Sequence, residues 1–89
     1  MMTIKEGFVL RKMPGMNLVM PTGANVKEFK GALVLNDTGA LIFSELKSGR
    51  TIEETAETLT REYDVTLEKA KSDVEKTIAS LKEAGVINA

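Results

Sequence analysis

At Asn36 the hydrophobic pattern of the chain changes period, and no other feature limits so strongly what the chain can fold into. Upstream, "GALVL" (31–35) is a short β-rich apolar run that stops at Asn36-Asp37. Downstream, Ala40, Leu41, Phe43 (or Ile42) and Leu46 recur at helical spacing behind a capping residue, Asn36 or Asp37, and Gly49 supplies a stop. The pattern predicts a strand over Ala32 to Leu35 joined directly to a helix over about 37–48.

The rest of the chain extends this division. "EGFVLRKM" and "MNLVMP" flank Pro14-Gly15, the mark of a hairpin. Thr51 and Glu54 form a capping box ahead of a second helix, about 52–63. Thr66 caps a third and longest helix, whose stripe of Leu67, Ala70, Val74, Thr77, Ile78 and Leu81 ends at Gly85. The expected fold class is α+β and winged-helix-like, with a three-stranded antiparallel sheet followed by three helices. Thr22 to Gly31 is polar and bracketed by glycines, and pattern leaves it open between loop, helical turn and short strand. With 89 residues, 43% of them hydrophobic, the chain forms one core, so residues 1–89 are expected to be a single domain.

Composition excludes most chemistry. The sequence holds no cysteine and no histidine, which removes thiolate nucleophiles, sulfur-ligated zinc and the commonest general base. Glu53, Glu54 and Glu57 lie on a helix face where carboxylates are ordinarily solvated, and no G-x-x-x-x-G-K-[ST] spacing occurs. The expectation is therefore a non-enzyme with no metal site. Twelve Lys+Arg against 13 Asp+Glu give no broad cationic field for nucleic acid or membrane. A DNA-binding winged helix is the alternative that the shape suggests. Against it, the third helix balances Lys69, Lys71, Lys76 and Lys82 with Glu68, Asp73, Glu75 and Glu83, and it carries no arginine, asparagine or glutamine. No stretch approaches the roughly 20 apolar residues of a membrane span, and no signal peptide is visible, so a cytoplasmic, soluble protein is expected.

What remains is binding. A three-stranded sheet leaves edges whose backbone N–H and C=O groups can pair with another chain, and an edge beside an amphipathic helix makes a groove for an extended peptide. Ala32 to Leu35 fits such an edge, and fits a central or covered strand equally well. An open edge also allows a monomer to dimerise.

The pieces "LVMPTG", "ALVLNDTGALIFSEL", "GRTIEETAETLTREYDV" and "LEKAKSDVEKTIASLKEAGVI", in this order, resemble the PqqD family, also called the RiPP recognition element. The most specific pieces are Leu35, Asn36, Thr38, Gly39 and Ala40 of an L-N-x-T-G-A pattern, and the pair Asp73-Val74. The resemblance implies a protein with no cofactor and no chemistry of its own. It would bind the leader segment of a ribosomally made precursor peptide, as in pyrroloquinoline quinone biosynthesis or a related pathway, and present it to a radical SAM or other peptide-modifying enzyme. It further implies that the leader adds as a strand to the third strand and lies against the third helix. Carried over, the peptide-binding residues are Ala32, Leu33, Val34 and Leu35 with Lys69, Asp73, Lys76 and Thr77. Each has a plainer reading as well. Leu33 and Leu35 fit a buried strand face, Asn36 and Asp37 a helix cap, Asp73 a solvated helix position, and Lys69 and Lys76 ordinary surface lysines. Phe8 and Phe43 are read as core.

Overall fold

The computed structural model describes residues 3–22 and 33–88. Its elements are β1 (Thr3–Ile4), β2 (Phe8–Met13), β3 (Met16–Pro21), β4 (Leu33–Leu35), α1 (Asp37–Lys47), α2 (Ile52–Glu62), α3 (Leu67–Glu83) and β5 (Ile87–Asn88). The main sheet is antiparallel in the order β2-β3-β4. This is the expected α+β order, a three-stranded sheet followed by three helices. Ala32 and most of the Thr22 to Gly31 segment lie outside the described residues.

Local signals account for the boundaries. Pro14 and Gly15 close the hairpin on the pair Met13↔Met16, with Gly15 at φ +79°, the positive value that the third residue of a type II turn requires. The cap of α1 is Asn36 rather than Asp37: its side-chain oxygen accepts the Gly39 N–H at 2.7 Å. Thr66 caps α3 in the same manner. At α2 the capping box is complete, with Thr51 N–H donating to Glu54 Oε1 at 2.9 Å and Glu54 N–H to Thr51 Oγ1 at 3.1 Å.

That box has a consequence for pH. Hydrogen bonding from the Thr51 backbone and then from the Thr51 side chain, with Arg50 adding a smaller attraction, holds the Glu54 carboxyl below its ordinary range despite a slight opposing effect of burial. A depressed carboxyl stabilises the fold above its unfolded pKa, and that contribution is lost as pH falls through the folded value. The first turn of α2 should therefore loosen on acidification. Carboxyl-carbon NMR should give Glu54 a lower titration midpoint in the native protein than in Thr51→Ala; equal midpoints would contradict this account.

The core lies between the inner face of the sheet and the helices, with Phe8, Val19 and Leu35 from the strands meeting Ile42, Phe43, Leu46, Leu59, Val74 and Leu81. Phe8 and Phe43 are core, as expected. The opposite face of the sheet presents Val9, Met13, Met16 and Val34 outward. Helix α1 is the hub and touches β1 to β4, α2 and α3. A second small sheet pairs β1 with β5 through Thr3↔Asn88 and Ile4↔Ile87, and Lys5 N–H donates to Val86 O at 2.8 Å. The sequence carries no local sign of this pairing, because two-residue strands show no periodicity. Among the described residues, no helix is long and apolar enough to cross a membrane.

Candidate functional site

The backbone of β4 has one satisfied side and one open side. In an antiparallel ladder, residues alternate between pairs that exchange hydrogen bonds and pairs that do not. The hairpin fixes which are which: it closes on Met13↔Met16, and Thr22 N–H donates to Gly7 O at 2.7 Å, so Met16, Leu18 and Met20 direct their backbone groups at β2. Asn17 and Val19 then face β4, where their partners are Leu35 and Leu33. It follows that Leu33 and Leu35 direct their N–H and C=O groups inward, whereas Val34 directs both outward. No strand among the described residues pairs with that outward side. The Val34 side chain is also 59% exposed, while Leu35 is buried and Leu33 packs against the core.

The far edge of the sheet is different. The Phe8 carbonyl, pointing away from β3 by the same alternation, accepts a hydrogen bond from Lys47 Nζ at 2.8 Å. A lysine drawn across an edge in this way discourages strand pairing there.

Facing the open edge, α3 forms the opposite wall of a groove of about 210 Å³ lined by Val34, Leu35, Asn36, Gly39, Lys76, Thr77 and Ser80. Gly39 keeps the junction of β4 and α1 tight, since a Cβ there would come within 3.2 Å of both Leu35 Cβ and Asn36 Oδ1. Asn17 braces the same junction from beneath. Its buried side chain donates from Nδ2 to Leu35 O at 3.2 Å and to Asp37 Oδ1 at 3.0 Å. One turn further toward the start of α3, a cavity of about 80 Å³ opens between Thr38, Leu59, Tyr63, Val65 and Asp73.

The residues singled out from the sequence thus divide. Val34, Leu35, Lys76 and Thr77 come together at the groove, and Asp73 lines the neighbouring cavity. Lys69 lines neither and pairs with Asp73 at 3.1 Å. Ala32 lies outside the described residues. The sequence reading did not single out Ser80, although it follows Lys76 by four residues and Thr77 by three and so shares their helix face. Nor did it find Tyr63 and Val65, which join the cavity only because the α2–α3 corner folds back onto α1.

A cavity of about 510 Å³ on the other flank of α1 includes Lys12, Asn17, Asp37 and Glu62. The Asn17 side-chain nitrogen there is engaged by Leu35 O and Asp37 Oδ1. No described buried side-chain nitrogen or oxygen lacks a partner, and no group of three or more His, Cys, Asp or Glu side chains among the described residues could hold a metal.

Sheet, helices and groove define a class of small α+β proteins in which an edge strand faces the last long helix. The chain belongs to the PqqD family: the model of that family, Coenzyme PQQ synthesis protein D (PqqD), matches residues 18–87. Among solved structures, the chain resembles a lasso peptide synthetase B1 complexed with the leader peptide, with a TM-score of 0.80, 25% identity and coverage of 99% of this chain and 98% of that one. It also shares its fold with TbiB1 in complex with the TbiA(beta) leader peptide, with a TM-score of 0.79, 17% identity and coverage of 98% and 95%. No curated protein matches in a direct comparison of sequences. The family match begins within β3, and the structural matches extend over nearly the whole chain.

Proposed function

We propose that this protein is an accessory peptide-binding protein that takes the leader segment of a ribosomally made precursor as an added strand along β4 and presents it to a modifying enzyme. The observation that carries this reading is the open backbone edge at Val34 facing α3 across a groove. Main-chain hydrogen bonds at such an edge supply grip, and side-chain pockets beside it supply selection. Family membership and two structural relatives with leader peptide bound support it. The protein would act in the cytoplasm without a cofactor, its partner a radical SAM or other peptide-modifying enzyme.

The test is titration of the isotope-labelled protein with the leader of a precursor encoded beside its gene. Amide shifts should concentrate at Leu33, Val34, Leu35 and the groove side of α3, and affinity should fall only mildly from low to physiological salt. Unchanged spectra at millimolar peptide would overturn the proposal. So would tight binding of duplex DNA with the steep salt dependence of several phosphate contacts.

A further inference from the structure

The groove and the corner cavity are next to each other on both of their walls. On α1, Gly39 lines the first and Thr38 the second; on α3, Thr77 lines the first and Asp73 the second. Four residues of helix advance by about 6 Å. Two residues of an extended strand advance by about 6.7 Å and return the side chain to the same face. A peptide lying along β4 and continuing past its end would therefore meet the two sites with side chains two positions apart.

Their chemistry differs. Lys76 is the one charged residue among those lining the groove, and it makes no ion pair among the described residues; its neighbours there are the hydroxyl side chains Thr77 and Ser80 and the amide of Asn36. The corner cavity is walled by Leu59, Val65 and the Tyr63 ring, and its one carboxylate, Asp73, is neutralised by Lys69 at 3.1 Å. Resting on the strand-addition reading above, we infer that the site reads its peptide as a pair of side chains two residues apart, an acidic one beside Lys76 and an apolar one in the corner cavity. Lys69 then acts indirectly, pairing with Asp73 so that its carboxylate keeps a partner when an apolar group displaces water from it.

The probe is a set of fluorescein-labelled synthetic peptides in a Thr- and Ser-rich host, each with one Glu and one Leu placed one, two or three positions apart, in both orders. Fluorescence anisotropy should give tightest binding at a separation of two in one of the orders, and that order reports the direction of the added strand. Replacing Leu with Ser in that peptide should weaken binding about tenfold. Replacing Glu with Lys should weaken it about three- to tenfold, as an exposed ion pair turns into repulsion. Lys76→Glu should reverse the Glu-over-Lys preference. Equal affinity at all separations, or an unchanged preference in Lys76→Glu, overturns the inference while leaving strand addition intact, provided Val34→Pro still abolishes binding. Binding that survives Val34→Pro overturns both together; no binding by any member at millimolar concentration overturns the inference, and the leader titration then decides strand addition by itself.

Discussion

Leu33→Pro should destabilise the fold while Val34→Pro leaves it standing and removes peptide binding, although the two residues are adjacent and both apolar. Proline deletes one backbone N–H and adds bulk on the side where that N–H pointed. At Leu33 this side is β3, opposite Val19, so the substitution breaks a ladder bond and strands an acceptor inside the sheet. The cost should be about 1–3 kcal/mol, a large share of the roughly 5–15 kcal/mol by which a domain is stable. At Val34 the lost N–H belongs to the open side, and proline on an edge strand facing outward is well tolerated. Urea unfolding of the two variants and a binding isotherm for Val34→Pro check both halves. Equal destabilisation by both would mean that β4 is paired on both sides, and would end the strand-addition mechanism.

The three helices were legible in the sequence because their start signals are local. Asn36 reaches Gly39, Thr51 reaches Glu54 and Thr66 reaches Lys69, each three residues away. The hairpin was legible for the same reason. Alternation along "ALVL" says that one set of side chains is buried without saying which backbone groups are free. That assignment depends on the register against β3, whose Asn17 stands opposite Leu35 and 18 residues away in the chain. Asn17 illustrates the limit most clearly. Nothing beside it in the sequence marks it as the brace of the junction, since both of its acceptors are distant. The β1–β5 pairing joins the two ends of the described chain and is equally invisible to local pattern. The L-N-x-T-G-A motif, by contrast, now has a physical reading: Leu35 anchors β4 in the core, Asn36 caps α1, and Gly39 permits their close approach, which together shape one wall of the groove.

Phe43→Ala should have the largest effect on stability of any single truncation in α1. Phe43 is 1% exposed and has the largest fully buried side chain among the described residues, on the helix that touches both the main sheet and the other two helices. Removing its ring takes away the transfer energy of the aromatic group and leaves a cavity that surrounding elements fill only in part, a loss of about 3–5 kcal/mol. The ring also lies 5.9 Å beneath Lys47 Nζ, the group that covers the Phe8 carbonyl at the far edge, so that cover should loosen as well. None of this touches the groove directly. The expected result is a large drop in the urea midpoint with an unchanged m-value, alongside peptide affinity close to wild type when binding is measured cold on the fraction that remains folded. Phe43→Leu, which refills most of the volume, should recover much of the stability. If Phe43→Ala instead kept its urea midpoint but lost the peptide, the ring would belong to the binding surface rather than to the core, and the groove would have to extend beneath α1.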